Sequence, residues 1–115
     1  MPHIQVDHSP DFDPSPLLPL LTTELSAIES VDPAAVKAYC RPAAAFSPGT
    51  GAPKGFIHLS VCVLAGRPGS VLAQMADRLD SVARTYLAGR VPYPMSLTLE
   101  IREMDPQTYR KGAVH

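Results

Sequence analysis

The sequence predicts an α+β domain: two β-α-β units whose four strands form one sheet, with both helices on the same face. Three observations carry that prediction. Short runs near the start, middle and end alternate apolar and polar side chains at the two-residue period of a strand. Two longer runs repeat their apolar residues at the three-to-four-residue spacing of a helix. The order strand, helix, strand then occurs twice, over about 2–42 and about 55–103, and a crossover helix is how a chain lays two parallel strands side by side.

Taken in order, Ile4 and Val6 face one way and His3, Gln5 and Asp7 the other, which predicts a half-buried strand over 3–7. Ser9 to Pro14 breaks the pattern. Ser15-Pro16 reads as a helix cap followed by a first-turn proline, and Leu17, Leu20, Leu21, Leu25 and Ile28 mark a helix over about 15–30. Pro19 falls in its first turn, where a missing N–H is tolerated. Asp32-Pro33 restarts the chain, and Val36 to Cys40 reads as the second strand. Pro42 to Lys54, rich in Pro, Gly, Ala and Ser, reads as a long loop or a short hairpin. Gly55 to Leu64 is apolar enough for a central strand covered on much of both faces. After the turn Ala65-Gly66-Arg67-Pro68-Gly69-Ser70, the apolar spacing from Val71 to Leu87 predicts a helix over about 69–88, stopped by Gly89. Leu97, Leu99 and Ile101 alternate with polar neighbours in the last strand, and the tail from Asp105 is polar without a clear element.

Composition narrows the class. At 115 residues the chain is expected to be one domain, 1–115. With 45% hydrophobic and 18% charged residues it lies outside the signature of disorder. Eleven acids against ten bases give a net charge of −1 with no basic stripe, so no nucleic-acid partner is expected. No apolar run approaches the ~20 residues that span a bilayer, so no membrane partner is expected either. The start has neither the basic nor the apolar region of a secretory signal. Cys40 and Cys62 are too few for a disulfide framework and sit in apolar segments. They are expected to be reduced, buried and inert, which places the protein in the cytoplasm. The 13 prolines cluster between the periodic segments and read as punctuation. A sheet with helices on one side leaves its other face to be covered, and the many apolar strand positions predict that another subunit covers it.

Four residues stand out chemically. Pro2 follows Met1, and a small second residue permits removal of the initiator methionine. That would leave a secondary amine at the start of a strand. Burial and nearby cations disfavour its protonated form, so it could take and return a proton near pH 7. The other reading of Pro2 is a strand position that needs no ladder N–H, and with Met1 retained its nitrogen is an amide and no base. Arg67, in a glycine-flanked turn opening a helix, suits a carboxylate or is a solvated turn arginine. Lys37 and Arg41 flank the second strand and offer further positive charge, or are exposed strand-end cations.

His3, His8, His58 and His115 have no metal-ligand spacing, and no metal or cofactor is expected. Asp7, His8, Asp11 and Asp13 suggest an ion site or, more simply, a solvated loop with capping groups, and His58 reads as a satisfied interior histidine. There is no Gly-rich phosphate loop, no Cys pair at zinc spacing and no nucleophile elbow.

Met1-Pro2-His3-Ile4-Gln5-Val6-Asp7, Gly55-Phe56-Ile57-His58-Leu59-Ser60-Val61 and Ala65-Gly66-Arg67 stand in the order and spacing of one family. On these residues the chain resembles 5-carboxymethyl-2-hydroxymuconate isomerase of the tautomerase superfamily. Leu99 to Pro106 is similar to that family's last strand and tail. The resemblance implies a tautomerase-like subunit in a homotrimer. Its activity would be a cofactor-independent keto–enol isomerisation of a small carboxylate-bearing dienol, of the 2-hydroxymuconate kind met in aromatic-compound catabolism. Pro2 would shuttle the proton and Arg67 would hold a substrate carboxylate. The family's basic residue of the second strand is matched by Lys37 in position and by Arg41 in type. Tyr39 stands where members commonly carry a second arginine, and the loop before Gly55 is shorter and proline-rich, which leaves the particular substrate open. The alternative is a trimeric binding or regulatory protein on the same scaffold without catalysis.

Overall fold

Alternation along the strands decides which side chains leave water. Ile4 and Val6 on β1 (His3–His8) are fully buried, while His3, Gln5 and Asp7 are only half-buried. The computed structural model describes residues 2–51 and 53–115. After β1 come α1 (Leu17–Ser26), a 3-10 turn at Pro33–Ala35, β2 (Lys37–Pro42), β3 (Gly55–Leu64), α2 (Gly69–Leu87) and β4 (Met95–Met104). The sheet order is β2-β1-β3-β4. Within each half the strands are parallel (β1 with β2, β3 with β4), and the antiparallel β1–β3 pair joins the halves. This is the architecture the two β-α-β units predict.

One core lies between sheet and helices. Leu17, Leu21 and Leu25 from α1 and Met75, Leu79, Ala83 and Leu87 from α2 recur every fourth residue and cluster with Ile4, Val6, Leu59 and Val61 of the central strands. Outside the core, Arg78 Nη2 lies 2.5 Å from Glu24 Oε2 and ties the two helices together. Among the described residues no helix is long and apolar enough to cross a membrane.

The structure departs from the sequence reading at particular places. The first helix ends at Ser26 instead of 30, because the N–H groups of Ala27 and Ile28 reach back only three residues, to Glu24 and Leu25. Pro16 is itself the cap residue, and Ser15 is bound by Asp13 Oδ1 and Oδ2 and does not cap. Asp32 caps the unforeseen 3-10 turn by accepting from Ala34 N–H at 3.1 Å, which delays β2 to Lys37. His58 is not interior: it sits half-exposed with Nδ1 2.6 Å from Thr98 Oγ1. His8 is the buried histidine, 5% exposed, with Nδ1 donating to Ser9 O. Cys62 is buried and Cys40 half-buried, and burial pushes both thiols up.

Register also sorts the residues of the helix-free face. Register sets Lys37, His3, Cys62 and Arg102 in one row, Tyr39, Gln5, Ser60 and Glu100 in the next, and Arg41, Asp7, His58 and Thr98 in a third. The apolar strand positions that predicted a covering subunit lie almost entirely on the side the helices already cover. Across these three rows the free face is mostly polar, with Phe56 at one end of it and Leu64 and Met104 at the other.

Candidate active site

Strand direction gathers the chemistry at one end of the sheet. Parallel pairing sets His3 opposite Lys37, and the Lys37 N–H donates to Pro2 O at 3.3 Å. Antiparallel pairing sets His3 opposite Cys62, so Pro2 reaches the end of β3 just where that chain turns away. The turn is made by Gly66 at φ 127°, a conformation that a residue with a Cβ rarely adopts. Arg67 follows directly. On the other side, the loop leaving α1 brings Ser30 to the same end. Pro2 itself is buried.

Three hydrogen bonds hold the Arg67 guanidinium, all to neutral oxygens. Nε donates to Ser30 Oγ at 2.9 Å, Nη2 to Ser30 O at 2.8 Å and Nη1 to Leu64 O at 3.2 Å. A guanidinium has five N–H donors, so one on each Nη is left. Among the described residues no carboxylate lies within ion-pair distance of Arg67 or Lys37. Both charges are therefore uncompensated at the Pro2 end. His3, next to Pro2, keeps Nδ1 buried without a hydrogen-bond partner among the described residues.

Arg41 is placed differently. It sits four residues along β2 from Lys37, about 13 Å at strand rise. Its Nε and Nη2 grip Asp7 at 2.9 and 3.0 Å, and Nη2 also reaches Gln5 Oε1 at 3.1 Å. Donating to the Asp7 carboxylate pushes its pKa further up, and its charge is already met. Of the four residues singled out from sequence, the fold brings Pro2, Lys37 and Arg67 to one end and leaves Arg41 at the other.

Two of the roomier clefts lie elsewhere. One of about 510 Å³ runs between the helices, lined by Leu20, Glu24, Val82 and Tyr86 among others. Another of about 520 Å³ lies beside the β1–α1 loop, lined by His8, Asp11, Phe12, Asp13 and Cys40 among others. The carboxylates of the second are engaged within the chain. Asp13 accepts from Ser15 N–H and O–H, which holds its carboxyl low, and Asp11 accepts from Tyr93 O–H, which pushes the phenol up. Neither cleft is lined by Pro2, Lys37 or Arg67.

Ser30 was missed in the sequence, since a lone serine after a helix carries no signal. The Asp7–Arg41 pair was legible in principle, because equal parity on parallel strands puts both on one face.

No family model matches the chain, and no curated protein matches its sequence. Solved structures do match. A 5-carboxymethyl-2-hydroxymuconate delta-isomerase superposes with a TM-score of 0.85 at 18% identity, covering 99% of this chain and 89% of that one. A 5-carboxymethyl-2-hydroxymuconate isomerase from Deinococcus radiodurans R1 gives 0.69 at 22% identity, over 96% and 88%. A fused 4-OT wild-type symmetric trimer gives 0.71 at 16% identity, over 91% and 88%. At these identities what is shared is the fold. The chain has the tautomerase-like α+β fold, and structures of the family resembled in sequence are among those it matches.

Proposed function

We propose that the protein is a tautomerase-type isomerase that moves a proton within a small acidic enol or dienol of the 2-hydroxymuconate kind. The observation that carries this reading is a buried proline at the head of β1, sharing its end of the sheet with two cations that have no carboxylate partner among the described residues.

With Met1 removed, Pro2 is a secondary amine. Its nitrogen takes the enol hydroxyl proton, the electron pair shifts through the conjugated carbons as the carbonyl forms, and the ammonium returns the proton at carbon. Substrate and product have the same atoms and oxidation level, so the amine is reset each turnover. Burial and nearby positive charge lower the pKa of such an amine and keep a fraction of it basic near neutral pH. Arg67 offers its two remaining N–H groups to a carboxylate, and Lys37 offsets charge gathering on the dienolate. General acid–base transfer supplies about 10²–10⁴-fold, so preorganised cations must supply much of the rest.

The site lies at one end of the sheet, and the fused 4-OT neighbour is a trimer. A homotrimer is accordingly part of the reading, with light scattering at about three times the 12.3 kDa chain mass as its check. A monodisperse monomer would remove it.

Met1 lies outside the described residues, so intact mass is read first. Protein shown to lack Met1 should then isomerise 2-hydroxymuconate, followed by the change in dienol absorbance. Carboxylate binding without turnover would instead identify the trimeric binding or regulatory protein. Neither binding nor turnover would sink the site.

A further inference from the structure

We infer that Ser30 is a positioning residue: it holds one edge of the Arg67 guanidinium so that the other edge faces a bound carboxylate. This rests on the proposed role of Arg67 as the anion holder. Arg67 leaves the chain from a turn whose neighbours Gly66 and Pro68 are exposed. A long side chain at such a place samples many rotamers, and binding an anion must then order it. Ser30 removes that cost in advance. Its Oγ takes the Nε proton at 2.9 Å and its backbone carbonyl takes an Nη2 proton at 2.8 Å, so one residue accepts two donors of the planar fork. Leu64 O fixes Nη1 from the strand side at 3.2 Å.

The chemistry of the holder matters as much as its geometry. A carboxylate at this position would grip the guanidinium as firmly but would compete with an incoming anion for its charge, as Asp7 does at Arg41. A hydroxyl and a carbonyl orient Arg67 and leave its charge available. The loop carrying Ser30 is itself anchored, with Val31 N–H donating to Ile28 O at 3.0 Å and Ile28 and Val31 buried in the core.

Ser30→Ala keeps the carbonyl contact and removes only the hydroxyl, so it should fold normally. The probe is muconate, a dicarboxylate with no enol to isomerise, titrated by calorimetry against protein lacking Met1. Ser30→Ala should weaken muconate about fivefold, the scale of one ordinary net hydrogen bond, and Ser30→Thr should restore it to within about twofold. With 2-hydroxymuconate, KM should rise by the same factor while kcat and the pH profile stay put. The Arg67 Nε–H resonance should be protected from exchange in the parent and Thr proteins and lose protection in the Ala protein. Unchanged muconate affinity in Ser30→Ala, or a parent protein that binds no muconate, overturns the inference. A loss that Thr does not rescue, with a lowered melting temperature, also overturns it and makes Ser30 structural. Muconate binding that follows the expected series without any turnover leaves Ser30 as positioned here and sinks the isomerase reading alone.

Discussion

The two ends of the sheet each carry an arginine singled out in the sequence, and the two are held by partners of different charge. At the far end Arg41 is clamped by Asp7 and Gln5, and an incoming carboxylate would have to displace a partner of the same kind. At the Pro2 end Arg67 is held as firmly, by Ser30 and Leu64, but only through neutral oxygens. The difference teaches that the holder of a cation decides its use more than the cation's own identity.

Substitutions at the two ends should therefore part company. Arg67→Ala removes a bidentate partner and should cost about 2–3 kcal/mol of substrate affinity and transition-state stabilisation, close to a hundredfold in kcat/KM for carboxylate-bearing substrates. It also cuts the tie between Ser30 and Leu64, so a melting curve should show a loss of about 1 kcal/mol. Full activity in Arg67→Ala would break the comparison. At the other end, Gly55→Ala would place a Cβ 2.9 Å from Met95 Cε, Ser9 Oγ and Tyr93 Cε2. Denaturant unfolding should show it destabilised by about 1–3 kcal/mol, with kcat/KM unchanged wherever the protein is folded. Lys37→Ala removes a single point charge from the Pro2 end and should lower kcat/KM about tenfold, with little change in melting. The smallest effect is expected for Arg41→Ala. Its pair with Asp7 is half-exposed, so the stability change should be small and shrink in salt. Its kcat/KM should stay within about twofold of the parent, and a larger loss would return Arg41 to the site.

Much of this was legible in the sequence, and the limits have physical causes. β3 is read to the residue, because Gly55 and the turn after Leu64 bracket an unbroken apolar strand. The end of α1 is not, because the buried Ile28 continues the helical spacing after the hydrogen bonding has tightened to three residues. Pro2 and Arg67 are legible as candidates from their local chemistry. What a single sequence does not show is which partner each cation takes. The separation of Arg67 from Arg41 depends on Ser30 and Asp7, residues 37 and 34 positions away along the chain. The polar character of the helix-free face was hidden for a related reason: counting apolar strand residues does not say which face they share, whereas register does.

The claim that Pro2 is the proton carrier is tested most directly by its nitrogen. Two preparations of one protein are compared by intact mass, circular dichroism, light scattering and turnover of 2-hydroxymuconate, one with a free amino-terminal Pro2 and one with an uncleaved extension before it. The free form should be active, with kcat/KM rising with pH as the amine gives up its proton, since that profile reports the essential base of the free enzyme. The extended form, whose Pro2 nitrogen is an amide, should keep the fold and assembly and lose turnover by at least about 10²-fold, the lower range of a general base's contribution. Equal turnover by the two preparations would contradict it.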